Sequence, residues 1–188
     1  MGDFDKSRLN IITRLEMLER LSDYSSIDNY ITLDKYNGEV SYLKLSDIFL
    51  YIGGMAFAGN KYLIELRTNK HLKTIDTGAL RGCRNLKTVI LNEGLEKISN
   101  SAFAITGIEK IVIPSTVRSI GRAMYSPNLK EVHMLSNYLR LDDIYQAFRH
   151  YTENNEKTHI HFRSDRSGID IGKEAPAYKD EFEISYDL

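Results

Sequence analysis

The chain has 188 residues, of which 42% are hydrophobic and 27% charged, a composition that allows a buried core. Its 25 basic and 26 acidic residues give a formal net charge of −1, so no basic excess indicates a nucleic-acid or anionic-membrane partner. No stretch approaches the roughly 18 apolar residues that a membrane span requires.

The N-terminal segment predicts a helix that covers one end of the molecule. Within residues 3–24, apolar side chains recur at helical spacing at Phe4, Ile11, Leu15 and Leu18. The Asn-Gly pair at 37–38 then predicts a bend or a short strand pair. We therefore expect residues 1–39 to form an N-terminal helical cap, since a stacked array needs its ends covered.

The same segment bears on localisation. The opening MGDFDKSRLN has neither the basic region nor the apolar region of a signal peptide, and Lys6 occupies the position where myristoylation needs Ser or Thr. A single cysteine, Cys83, rules out an internal disulfide and suits a reducing compartment. We expect a cytoplasmic protein, or a surface or secreted one if the chain is a processed fragment.

An internal repeat occupies the middle of the chain. The first apolar column has intervals of 23, 23, 22 and 21 residues and contains Val40, Leu63, Leu86, Ile108 and Leu129. A second column follows three residues later, at Leu43, Leu66, Val89, Ile111 and Val132. Each unit closes with an apolar pair, at Ala56-Phe57, Ala79-Leu80, Ala102-Phe103 and Met124-Tyr125.

The spacing within each unit predicts how the chain stacks. An L-x-x-L-x-L opening puts alternate apolar side chains on one face of a short strand, and the remainder of the unit reads as a tight return. One such unit cannot bury enough apolar surface to offset a backbone ordering cost of roughly 1–2 kcal/mol per residue. Stacked units can, so residues 40–135 are predicted to form four to five rungs with parallel strands on a concave face.

The repeat also resembles a known family. The stretches ALRGCRNLKTVILNEGLEKI, AFAITGIEKIVIPSTVRSIG and SPNLKEVHM are similar to BspA-like leucine-rich repeats of bacteria, over about residues 40–135. The resemblance implies a protein-binding scaffold, often at cell surfaces, with no catalytic residues. Together with the repeat it predicts a short right-handed α/β repeat solenoid, for which we expect no cofactor. Cys83 falls on the cysteine position of the family's unit, which implies a packing role.

Residues 136–188 are expected to form a C-terminal cap. LDDIYQAFRHY predicts a helix with Leu141, Ile144, Tyr145 and Phe148 on one face, and Asp142 as its N-cap. THIHF at 158–162 alternates as one more parallel rung would, and FEISYDL at 182–188 predicts a closing strand.

The outward strand positions are the candidate binding surface. The central rungs present Ile90 and Val112 between charged neighbours, and an apolar centre with a polar rim is typical of a protein interface. The alternative is an ordinary solvated sheet. The ten outward positions, which we expect to stand clear of the core, are Tyr42, Lys44, Glu65, Arg67, Thr88, Ile90, Lys110, Val112, Glu131 and His133.

Histidines form a second candidate site. The rung register predicts that His133 and His161 share one outward column, with Glu131 and His159 in the column beside them. Such a group could bind a metal or respond to pH, although a plain polar strand face would show the same residues.

The sequence thus predicts a non-enzymatic protein-binding module without nucleic-acid or membrane-spanning functions. Three alternatives stay open: a surface or secreted adhesin-type fragment, an inhibitor of a host enzyme encoded by a phage or mobile element, and a metal-dependent enzyme that uses the histidine columns.

Overall fold

A computed structural model describes residues 10–11, 24–27, 30–33, 36, 38–149, 157–166 and 182–188. In chain order the elements are β1 (Asn10–Ile11), β2 (Tyr24–Ile27), β3 (Tyr30–Leu33), β4 (Tyr42–Lys44), β5 (Phe49–Ile52), β6 (Glu65–Arg67), β7 (Thr74–Ile75), β8 (Thr88–Ile90), β9 (Lys97–Ile98), β10 (Lys110–Ile113), β11 (Ser119–Ile120), β12 (Glu131–Met134), α1 (Leu141–Phe148), β13 (Thr158–Phe162), a 3-10 turn (Ser164–Arg166) and β14 (Phe182–Tyr186).

These strands wind into a solenoid of parallel sheets with about five turns, as the repeat predicts. The sheet β1-β4-β6-β8 and the sheet β10-β12-β13-β14, in those orders, form what we call the front wall. Every pairing within the front wall is parallel and in register, with Leu43 opposite Leu66 and Ile111 opposite Val132. Between the two sheets, β8 and β10 lie in contact without a continuous hydrogen-bonded ladder.

The return arm of each unit is more regular than the sequence predicts. A third sheet, which we call the back sheet, has the strand order β11-β9-β7-β5-β3-β2. It is parallel except for the antiparallel β2-β3 pair. The sequence predicts only a tight return here, and the strands within it are a feature that the repeat does not indicate. Three of the six strands, β7, β9 and β11, have only two residues, and each of these places a single isoleucine inward, so no alternation was available to indicate a strand.

A third set of backbone hydrogen bonds joins the apolar pairs that close the units. The Phe57 N–H donates to Ala79 O at 2.7 Å, the Leu80 N–H to Ala102 O at 2.8 Å, and the Phe103 N–H to Ala123 O at 2.9 Å. Stacking therefore satisfies backbone groups on three edges of each turn, as burial of this backbone requires.

The core lies between these edges. Leu43, Leu66 and Ile111 on the front wall and Ile52 and Ile75 on the back sheet are all at most 1% exposed. Each buried side chain of this size contributes about 1.5–3 kcal/mol relative to an exposed one, so the continuous apolar columns stabilise the stack.

The closing pair of the last unit differs from the prediction by one residue. Ala123 and Met124 are fully buried, whereas Tyr125 is 52% exposed. The pair is therefore Ala123-Met124, not Met124-Tyr125. The interval from Ala102 to Ala123 is 21 residues, the same short interval that separates Ile108 from Leu129.

The N-terminal predictions need correction where the structure describes them. Asn10–Ile11 is a strand paired in parallel with β4, so the helix predicted over 3–24 is wrong at these positions, and most of that segment lies outside the described residues. A short strand pair is present as β2 with β3, within 24–33, and the strands that flank the Asn-Gly pair, β3 and β4, belong to different sheets. Asn37, where the alternative bend is predicted, lies outside the described residues.

The C-terminal helix is present, with the predicted face buried. Leu141, Ile144, Tyr145 and Phe148 are each at most 8% exposed, and the Ala147 carbonyl accepts a hydrogen bond from the Met124 N–H at 2.9 Å. Asp142 is not the N-cap; that position is Arg140, which makes no side-chain capping bond, and Asp142 lies in the first turn, where a negative charge favours the helix dipole. Within the described ranges, no helix has the length and apolar character needed to cross a membrane.

A left-handed backbone position recurs two residues after the apolar pair that closes each of three units. Gly59, Gly82 and Ile105 occupy equivalent positions with φ of 73°, 78° and 59°. Glycine adopts this conformation without steric cost, whereas an L side chain loses roughly 1–2 kcal/mol there. Ile105 therefore carries strain that its two counterparts avoid.

We predict that the usual stability order of glycine and alanine reverses at this position. Both Ile105→Gly and Ile105→Ala remove the half-buried side chain, but only glycine relieves the backbone strain. Ile105→Gly should be more stable than Ile105→Ala by about 1 kcal/mol in urea unfolding. An alanine variant equal to or more stable than the glycine variant would contradict the left-handed conformation.

The inward columns predict large losses on truncation. Leu86→Ala or Ile111→Ala should lower the free energy of unfolding by about 2–5 kcal/mol, because each leaves a cavity in a continuous apolar column. Lys87→Ala is the control, since Lys87 is exposed beside Leu86 and should cost no more than about 0.5 kcal/mol. Equal midpoints for Leu86→Ala and Lys87→Ala in chemical denaturation would show that the register is wrong.

Candidate binding face and histidine cluster

The outward side chains of the front wall form two columns on each of its sheets. On the first sheet, one column contains Lys44, Arg67 and Ile90, and the other contains Tyr42, Glu65 and Thr88. On the second sheet, the corresponding columns contain Val112, His133, His161 and Ser185, and Lys110, Glu131, His159 and Glu183. Strand register thus places the ten candidate positions side by side on the one wall.

Exposure differs among the ten candidates. Lys44, Thr88, Lys110 and Val112 are exposed, and Val112 at 40% is among the most exposed large apolar side chains of the described residues. Five others are half-buried: Tyr42, Arg67, Ile90, Glu131 and His133.

Glu65 is buried, although its outward strand position predicts an exposed side chain. It is only 8% exposed, and its Oε1 lies 2.5 Å from the Arg67 Nε that donates to it. A buried carboxylate needs such a partner, because removal of one member of the pair leaves an uncompensated charge. Arg67 therefore stabilises the fold in addition to being a candidate contact residue.

An open groove runs along the ends of β4, β6 and β8. It has a volume of about 660 Å³, and its lining includes Lys44, Arg67 and Ile90 from one outward column, together with Asn69 and Asn92 from the turns that follow. The Asn69 Nδ2 donates to Ser46 O at 2.7 Å and to Phe49 O at 2.8 Å, which ties adjacent rungs together beneath the groove. The groove therefore has a fixed floor.

The histidine cluster lies on the second sheet of the front wall. One ligand atom from each of Glu131, His133 and His161 lies within 4.8 Å of the others. The Nε2 of His161 is 3.4 Å from Glu131 Oε1, and the Nε2 of His133 contacts the same oxygen. The imidazoles of His133 and His161 have centroids 4.7 Å apart.

His159, the fourth predicted member, sits differently. Its ring stacks on that of His161 with centroids 4.0 Å apart, and its nitrogens are not part of the convergent group. The structure thus brings together three of the four metal-ligand candidates and places His159 as a flanking ring.

Two residues of this cluster were missed in the sequence. Asp187 Oδ1 is 3.0 Å and Ser185 Oγ 2.8 Å from His161 Nδ1. The hydrogen bond from Ser185, followed by that from His161, lowers the pKa of the Asp187 carboxyl below its ordinary value. Extending the outward alternation of FEISYDL by one rung would have placed Ser185 beside His161.

Lys110 contacts the cluster from the neighbouring strand. Its ammonium donates to Glu131 Oε1 at 2.8 Å. This bond, together with the weaker contribution of His133, lowers the pKa of Glu131 below its ordinary value, so the carboxyl is ionised at neutral pH. The cluster therefore contains a fixed negative charge that Lys110 partly neutralises.

The Ser185 hydroxyl lies between Asp187 and His161. It donates to Asp187 Oδ1 at 2.7 Å, and its oxygen is 2.8 Å from His161 Nδ1. A serine nucleophile instead directs its hydroxyl proton at the imidazole.

Cys83 lacks the features of a reactive cysteine. It is fully buried, its thiol donates to Phe57 O at 3.0 Å, and burial raises its pKa to about 11. Because the thiolate is the reactive form, this cysteine has the chemistry of a packing residue.

Comparison with known proteins agrees with this architecture. The family model described as BspA type leucine-rich repeat region matches residues 9–155 in six copies. No curated protein shows significant sequence similarity to the chain.

Two solved structures share the fold. The pneumococcal vaccine antigen PcpA is 17% identical with a TM-score of 0.58, over 88% of this chain and 48% of the antigen, so this chain spans about half of that protein. The leucine-rich repeat protein of T. pallidum, TpLRR, is 14% identical with a TM-score of 0.50, over 88% of this chain and 96% of its own.

Proposed function

This chain belongs to the BspA-type leucine-rich repeat family, and from that premise we propose that it is a non-enzymatic module that binds a protein partner through the outward face of its front wall. Proteins of this repeat class typically act in protein interactions or adhesion. The proposed contact residues lie in the outward columns of the front wall.

The observation that carries this proposal is the composition of one outward column. Ile90 and Val112 lie on neighbouring strands at its middle, with Lys44 and Arg67 on one side and His133 on the other. An apolar centre within a polar rim is how protein interfaces are built, because the rim excludes water from the contacts that supply most of the binding energy.

The rigidity of the wall supports the same function. Its strands are held by parallel ladders and by side-chain bonds such as Asn69 to Ser46, so the face is ordered before a partner arrives. A preorganised surface loses little conformational entropy on binding. The groove that contains Ile90 also offers a concave place for a protruding side chain of the partner.

The setting of the module is also part of this proposal. A cytosolic binder, including an inhibitor of a host enzyme, and a surface or secreted adhesin-type protein would use the same face. Fractionation of native cells followed by immunodetection separates the two settings, because the former is recovered with cytosol and the latter with the envelope or the medium.

We predict that Ile90→Asp weakens partner binding by about 2 kcal/mol or more, roughly thirtyfold, because it places an unpaired charge in a desolvated patch. Ile90 is half-buried and outward, so we expect folding to change by only about 0.5–1 kcal/mol. Partners captured from the native host by the parent chain would be identified and their affinities compared with the variant's by calorimetry.

Lys97→Glu is the matched control, because Lys97 is an exposed strand residue on the back sheet. Arg67→Glu is a poor choice for this test, since it would leave the buried Glu65 carboxylate without its partner. Binding retained by Ile90→Asp and lost by Lys97→Glu would move the interface to the back sheet.

A further inference from the structure

We propose that Glu131, His133 and His161 form a site for one divalent first-row transition-metal ion, with Zn²⁺ the best match. This site stands on its own geometry and does not depend on the protein-binding function proposed above.

Convergence of the donor atoms is the first argument. The ligand atoms of the three residues lie within 4.8 Å of one another, although the residues come from two different strands. Two imidazoles and one carboxylate are a donor set that zinc uses in proteins, with metal–ligand distances near 2 Å. Small side-chain adjustments therefore suffice to enclose an ion.

The ring nitrogens of the cluster already point at one carboxylate oxygen. The His133 and His161 Nε2 atoms both face Glu131 Oε1, and the two rings are tilted against each other with centroids 4.7 Å apart. A cation placed between the three side chains would therefore meet two ring nitrogens and one carboxylate oxygen.

The surroundings of His161 supply the second argument. A metal-binding histidine usually donates its other ring N–H to a carboxylate or carbonyl, which fixes the tautomer and directs the free nitrogen at the metal. Asp187 Oδ1 is 3.0 Å from His161 Nδ1 and thus holds Nε2 toward Glu131. Asp187 is a positioning residue in this site.

Lys110 competes with a metal ion for the Glu131 carboxylate. Its ammonium is 2.8 Å from Glu131 Oε1, so it occupies the carboxylate that the ion would use. Its side chain is half exposed, and it can swing into solvent when a more highly charged cation takes its place. Removal of Lys110 should therefore increase metal affinity.

The test is Zn²⁺ binding to the full chain, measured by calorimetry after treatment with a chelator. We expect a stoichiometry of one ion per chain and a rise in melting temperature with added Zn²⁺. His133→Asn, His161→Asn and Glu131→Gln should each weaken binding on the order of tenfold or more, and Asp187→Asn by about 10–100-fold. With Co²⁺ as the probe, an absorption band of a tetrahedral ion should appear and be lost in these variants.

Two further variants keep the test independent of misfolding. His71→Asn alters an exposed histidine outside the cluster and should leave Zn²⁺ affinity unchanged. Lys110→Met should bind Zn²⁺ several-fold more tightly, a gain that damage to the fold cannot produce. The proposal is overturned if the chain shows no saturable 1:1 binding, if His133→Asn and His161→Asn bind like the parent, or if Lys110→Met binds more weakly.

Discussion

Register between successive units is the constraint on which the rest of the structure depends. A unit of about 22 residues has too little apolar surface to fold by itself, so its leucine-like side chains must lie directly above those of the next unit. Leu43 over Leu66 and Ile111 over Val132 show this alignment on the front wall. A slip of one residue would turn every buried side chain of a strand outward, so a shifted register would lose the core packing of that strand.

The same alignment builds the outward surface. Because alternate residues point away from the core, a register that stacks Val132 over Ile111 also places His133 beside Val112 and His161 beside His133. The apolar centre of the binding face and the cluster around Glu131 are therefore two consequences of one packing rule. Their positions on one wall also allow a partner of the face to approach the cluster, although neither proposal requires this.

Long, strongly periodic features could be predicted from the sequence. The front-wall strands, the buried face of the helix at 141–148 and the shared column of His133 and His161 all follow from counting apolar positions. The back sheet could not be found in this way, because strands such as β7 and β9 have one inward residue each. Here, pairing with adjacent rungs creates the strand, and local sequence carries little signal.

The details of the candidate sites depend on side-chain partners that periodicity does not encode. The outward strand position of Glu65 predicts a surface residue, but Arg67 allows its carboxylate to be buried. The register places His159 in the column of Glu131, beside the other two histidines, yet its ring stacks on His161 and its nitrogens do not join the convergent atoms. Asp187 belongs to the cluster because the last strand continues the front wall for one more rung.

The most direct test of the central role of register is a nuclear Overhauser experiment on the isotopically labelled full chain. We expect backbone cross-peaks of a parallel ladder that pair Val112 with His133, and His133 with His161. Cross-peaks of an antiparallel pairing, or of a register displaced by one residue, would contradict it, because either would remove the outward columns on which both proposals rest.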